Sequence, residues 1–131
     1  AQGLLDRMRL CPGSFLHDPL PQGADLVTLV RVAHDHPDEV VKLLLKKIHT
    51  ALPVGGVLLL AEPMAQTQSG AQDGYTQSDA YFHFYLLAMG AGRLRTPDEL
   101  MRLMRAAGFS GVTRLNNQLP IHAQLLVGTK T

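Results

Sequence analysis

The 131-residue chain is 46% hydrophobic and sets 12 Lys and Arg against 11 Asp and Glu, for a formal net charge of +1. That supplies one domain with a core of ordinary size, and the mixed acids and bases leave no basic stripe of the kind that binds nucleic acid or anionic lipid. No uninterrupted apolar run approaches the roughly 20 residues that span a bilayer, and the lone Cys11 excludes an intrachain disulfide, lacks paired metal-site spacing and points to a reducing, cytoplasmic compartment.

A short opening strand is expected over Arg7 to Cys11, ahead of the turn residues Pro12-Gly13-Ser14-Phe15. After Pro19, Pro21 and Gly23, the β-branched apolar run Asp25 to Val32 suits a buried parallel strand. Pro37 at a first helical position, followed by Asp38 and Glu39, complements the positive end of a helix dipole. Val40, Val41, Leu44, Leu45 and Ile48 then form one apolar face, and Lys46, Lys47 and His49 fall near the carboxyl end, where cations are favoured. Pro53 and Gly55-Gly56 stop this helix. Val57 to Ala61 reads as a second buried strand, ending at Glu62-Pro63.

Residues 65–79, rich in Gln, Ser, Thr and Gly, read as a mobile loop. Asp79 to Met89 is dense in aromatic and aliphatic residues, closed by Gly90 and Gly92, and predicts an amphipathic helix. Thr96-Pro-Asp-Glu99 joins an N-cap threonine, a first-turn proline and a capping-box glutamate, opening a helix that Gly108 terminates. Phe109 to Leu115 and Ile121 to Thr129 are strands joined by a short connection, hence an antiparallel pair. The order strand, helix, strand, excursion, helix, strand, strand predicts an α/β domain over residues 1–131. It corresponds to the second half of a doubly wound sheet, mostly parallel with an antiparallel final pair.

The series Gly13-Ser-Phe, Pro19-Leu-Pro, Gly23-Ala-Asp, Arg31-Val-Ala-His-Asp-His36, Leu52-Pro-Val-Gly-Gly56 and Ala61-Glu-Pro63 resembles the plant-type small-molecule O-methyltransferase family. Asp79 to Met89, followed by Arg95-Thr-Pro-Asp-Glu99, is similar to the bacterial carotenoid members, the hydroxyneurosporene or demethylspheroidene type. The resemblance implies a Rossmann-like methyltransferase domain of which these residues are the carboxyl-terminal portion. It further implies methyl transfer from S-adenosylmethionine to a hydroxyl oxygen, with a lipophilic acceptor such as the tertiary hydroxyl of an acyclic carotenoid. Members commonly dimerise through an amino-terminal helical domain, so a homodimer of the parent protein is implied as well.

An alcohol needs a base to take its proton, whereas a sulfonium donor already carries an excellent leaving group, so positioning plus one base can suffice. The resemblance assigns the catalytic roles to His34, as base, and to Glu62, as the carboxylate that orients it. Both fall at the carboxyl ends of predicted strands, where open α/β sheets bind ligands. It assigns adenine contacts to Ser14, which stands where many members have aspartate, and to Phe15. Phe82, Tyr85 and Met89 are assigned to the acceptor. Two departures stand out: Leu94 replaces a second glutamate before Arg95-Thr96, and His36 replaces the tryptophan of His-Asp-Trp. The family's Gly-x-Gly-x-Gly loop has no counterpart here, and Gly55-Gly56, preceding a strand, is turn chemistry.

Blander readings stand beside these. His34 fits a surface or capping histidine in a strand-to-helix loop, Glu62 a solvated strand end, and Phe82, Phe84, Tyr85 and Met89 an ordinary core stripe, the last slightly favoured over a pocket lining. A metal at His34-x-His36 with Asp35 and His17 is disfavoured, because no third ligand converges and the run is explained as a helix start. The chain could also be a noncatalytic folded fragment that self-associates through sheet edges, or an acceptor-binding module.

Overall fold

The computed structural model describes residues 3, 5–65, 84–116 and 123–131. After a 3₁₀ turn at Leu5–Arg7 come β1 (Leu26–Val30), a 3₁₀ turn at Ala33–Asp35, α1 (Asp38–Ala51) and β2 (Val57–Glu62). Helical residues 84–89 (α2) follow, then α3 (Pro97–Ala106), β3 (Phe109–Leu115) and β4 (Gln124–Lys130). The sheet order is β1-β2-β4-β3. The β1 and β2 strands pair in parallel, β4 runs antiparallel to β2, and β3 runs antiparallel to β4. The expected α/β class, with a parallel start and an antiparallel finish, is the one observed.

Helix α1 buries Val41, Leu44, Leu45 and Ile48, the i, i+3, i+4, i+7 spacing that keeps one stripe toward a core. They share a cluster with Leu58 and Leu60 of β2, Leu126 of β4 and Met104 of α3. Both long helices therefore pack on one face of the sheet, and each fully buried aliphatic side chain contributes on the order of 2 kcal/mol. Val27 and Leu29 pack against this cluster, while the alternating Leu26 and Val30 are exposed. Sequence had suggested a strand buried throughout. Successive side chains point to opposite faces of a strand, and the helices that bury Val27 and Leu29 lie on one of them.

Pro37 is the N-cap of α1, one place before the helix, with no side-chain cap bond. The α3 capping box is complete: Thr96 accepts from the Glu99 N–H, and the Glu99 carboxylate accepts from the Thr96 N–H. Gly108, at φ 108°, lets the chain leave α3 in the left-handed region that side chains disfavour. Lys47 reaches away from α1's end, donating to the carbonyls of Phe15, Leu16 and Asp18 at 2.9, 2.8 and 3.0 Å. It ties the 14–18 turn to α1.

Two expectations need correction. Residues 8–12 form no strand, and Met8 and Leu10 are exposed; a strand exists through ladder hydrogen bonds to a neighbour, and none of the described bonds links this segment to the sheet. In α2, Phe84, Tyr85, Leu87 and Met89 are exposed and Leu86 is buried, so the described part of the aromatic stripe is not core. The predicted loop beyond Ala65, residues 79–83 of the predicted helix, and residues 121–122 of the last predicted strand lie outside the described residues.

Candidate active site

The site grows from the end of β1. Arg31 continues the β1–β2 pairing by donating its N–H to the Ala61 carbonyl at 2.8 Å, yet its φ is 55°. A left-handed non-glycine residue costs on the order of 1 kcal/mol and persists only where its surroundings hold it. The chain thereby swings from the strand into the tight turn Ala33–Asp35, with His34 at its centre and only 5% exposed.

Glu62, the last residue of β2, is 1% exposed and is saturated by this turn. Its Oε1 accepts from the N–H groups of Val32 and Ala33 at 2.7 and 2.8 Å. Its Oε2 accepts from the His34 N–H at 3.4 Å and lies 2.8 Å from His34 Nδ1. A buried carboxylate is costly unless hydrogen-bonded throughout, and here the backbone that positions His34 also satisfies its partner. Sequence placed both residues on one rim of the sheet, and the structure joins them. The solvated strand-end reading of Glu62 and the surface reading of His34 are thereby removed.

Asp35, which sequence offered only for a disfavoured metal site, lies beside the His34 ring. Its Oδ1 lies 3.1 Å from His34 Nε2 but makes no hydrogen bond, so the contact is an ion-pair distance without hydrogen-bond alignment. Leu94 is buried where the family pattern suggested a second carboxylate.

The 90–96 segment closes over the turn. Gly92 adopts φ +92°, and a Cβ there would overlap the His34 carbonyl oxygen, so only glycine fits this close approach. Next to it, the Arg93 N–H donates to the His34 carbonyl at 3.0 Å. Arg95, 2% exposed, donates to the carbonyls of Ala33 and His36 and to Asp38 Oδ1, each at 2.8 Å. Arg93 engages both oxygens of Asp38 at 3.2 and 3.1 Å and Glu99 at 3.1 Å. Hydrogen bonds from Arg93, and then from Arg95, hold the Asp38 carboxyl down at about 2. Glu99 is lowered first by the Thr96 N–H and then by Arg93. Nothing local in the sequence gives Arg95 a role beyond its place in the Arg95-Thr-Pro-Asp-Glu99 motif; an arginine directly before a capping box is the available signal. A narrow crevice bounded by His34, Glu62, Pro63, Arg93, Arg95 and Leu100 has no room for a water molecule.

Of the other assigned residues, Phe15 stands edge-on to His36, with ring centroids 5.2 Å apart. The Ser14 N–H donates to Asp18 at 2.7 Å, and its Oγ accepts from the Leu16 N–H at 3.3 Å. Tyr85 and Met89 are exposed on α2 and do not border the His34 crevice. Phe82 lies outside the described residues. Among the described residues, no group of three or more His, Cys, Asp or Glu could hold a metal ion, and no helix is long and apolar enough to cross a membrane.

Residues 2–110 match the family model of the O-methyltransferase domain. The chain is 48% identical over 108 residues to demethylspheroidene O-methyltransferase of Rhodobacter capsulatus, a match covering 82% of this chain and 26% of that protein. It thus spans about a quarter of that relative's length. Among solved structures, human N-acetylserotonin methyltransferase in complex with SAM superposes with a TM-score of 0.77 at 27% identity, covering 90% of this chain and 32% of that one. An O-methyltransferase family 2 protein from Planctomyces limnophilus in complex with apigenin gives 0.83 at 25% identity, covering 98% and 36%.

Proposed function

Because the chain belongs to the O-methyltransferase domain family, we propose that its protein transfers a methyl group from S-adenosylmethionine to the hydroxyl oxygen of a lipophilic small molecule. His34 is the general base in this reading. The observation that carries it is the buried contact of 2.8 Å between His34 Nδ1 and Glu62 Oε2. With the Nδ1 proton directed at Glu62, the imidazole's lone pair resides on Nε2, the atom that accepts the acceptor's hydroxyl proton. Glu62, 2.8 Å from Nδ1, holds the ring in the orientation that presents Nε2.

S-adenosylmethionine, when bound, supplies an electrophilic methyl group on a sulfonium. Phe15 and His36 fit it in one respect, presenting paired aromatic rings next to the His34 turn against which an adenine can pack. The Ser14 hydroxyl, accepting within its own turn, keeps its proton to donate to a ring nitrogen. The exposed Tyr85 and Met89 of α2 offer apolar surface for an acceptor, and Phe82 belongs to the same proposal. The likeness to demethylspheroidene O-methyltransferase favours a hydroxylated acyclic carotenoid.

Methyl-labelled S-adenosylmethionine offered with such a carotenoid, and separately with a flavonoid-like phenol, tests both parts. Labelled carotenoid methyl ether is expected. Label on the phenol alone would replace the acceptor, and label on neither oxygen would overturn the activity.

A further inference from the structure

We propose that Arg95 is a positioning residue for His34, acting through the backbone of the turn that carries it; this rests on His34 being the base. The turn is gripped from two sides by opposite charges. Glu62 holds its N–H groups, at Val32, Ala33 and His34. Arg95 holds its carbonyls, one residue before His34 and two after, while Nε fastens to Asp38 in the first turn of α1.

The backbone of Arg95 extends the grip to the second strand. Its carbonyl accepts from the Ala65 N–H at 3.0 Å, three residues beyond Glu62. One residue thus links the segment after Glu62 with the turn bearing His34, and the Nδ1 to Oε2 distance depends on both. A guanidinium suits the task because its planar fork reaches three fixed acceptors at once. An ammonium is a point charge that cannot hold the same three in that geometry. Asp38 does not depend on Arg95 for its place, since Arg93 engages both of its oxygens.

The test compares wild type, Arg95→Lys, Asp38→Asn, Arg93→Gln and Met104→Ala in the protein that carries this chain. Long-range proton–nitrogen correlation spectra report which His34 nitrogen bears the proton, and kinetics separate kcat from KM. Met104 is a fully buried core residue, so its truncation lowers stability without touching the turn.

Arg95→Lys is expected to lose the Nδ1–H signature of His34 and to lower kcat about tenfold or more with KM changed less than about twofold, as loss of a group that orients another does. Asp38→Asn, which weakens the Nε anchor together with the Arg93 pairings, gives the same displacement in smaller measure, whereas Arg93→Gln, which loses the Arg93 pairings alone, keeps the wild-type signature; this pair decides the matter if Arg95→Lys does not fold. Met104→Ala keeps the wild-type His34 signature. A wild-type His34 signature in both Arg95→Lys and Asp38→Asn, with stability lowered as in Met104→Ala, would overturn the proposal. Failure of the base reading is separate: His34→Ala would then turn over normally, whatever the imidazole spectra show.

Discussion

Gly92 and His34 touch through their backbones: a Cβ on Gly92 would overlap the His34 carbonyl oxygen and stand 2.8 Å from the carbonyl carbon of Asp35. Both partners are main chain, so neither can swing aside as the end of a side chain could. The segment after α2 and the turn after β1 are thereby locked at one spacing, which the Arg93 N–H bond to the same carbonyl reinforces.

Gly92→Ala must therefore displace the His34 turn as well as strain a left-handed residue. A loss of about 3–4 kcal/mol in unfolding free energy is expected by chemical denaturation. Gly90→Ala, also at positive φ but with nothing within 4 Å, should cost only about 1–2 kcal/mol. Equal losses would mean that the close approach to His34 is unimportant.

Thr96→Ala removes the oxygen that caps α3, where Glu99 N donates to Thr96 Oγ1 at 3.2 Å. A loss of about 1 kcal/mol is expected. The orienting bonds of Arg95 come from its own guanidinium and are untouched, so the His34 spectra should stay those of wild type.

Acid should weaken the junction of α1 and α3. The Asp38 carboxyl is held at about 2 against an ordinary 3.8, so its ion pairs stabilise the fold fully above pH 3.8. Their contribution declines as pH falls from about 4 toward 2, where the folded state also takes up the proton. Denaturation midpoints followed over that interval should fall more steeply in wild type than in Asp38→Asn. Parallel curves would show that the pair adds nothing to stability. Because Asp38 is partly exposed, added salt should narrow the difference.

Glu62→Gln keeps the size of the side chain but can turn an amide N–H₂ toward His34 Nδ1, now 2.8 Å from a carboxylate oxygen. That donor favours the tautomer with its proton on Nε2, the wrong one for a base. Turnover should fall roughly 10- to 100-fold, less than on loss of the imidazole itself. A larger loss than in His34→Ala would reverse the roles given to the two residues.

How much of this was legible depends on how local each signal is. The Thr96-Pro-Asp-Glu99 box contains its own hydrogen-bonding partners, so sequence found α3 and its cap. The apolar spacing of Val41, Leu44, Leu45 and Ile48 likewise marks α1 from within. The strand expected at Arg7 to Cys11 failed because a strand is completed by its lateral neighbour, which no local pattern supplies. The α2 stripe failed similarly: spacing reveals an apolar face but not what it meets. His34 and Glu62 were found through a family pattern, not from spacing, and the saturation of Glu62 by three backbone N–H groups could be seen only in the fold. Arg95 was missed because its acceptors lie 57 to 62 residues away in sequence.

The measurement that bears most directly on the account is the kinetics and cofactor affinity of His34→Ala in the protein that carries these residues. If Nε2 of His34 takes the acceptor's proton, turnover should fall about 10²- to 10⁴-fold, the worth of a general base. S-adenosylmethionine affinity, measured by titration calorimetry, should change less than about threefold, because loss of the base acts on the chemical step. Unchanged turnover, or a loss confined to cofactor binding, would contradict the assignment of His34 as the base.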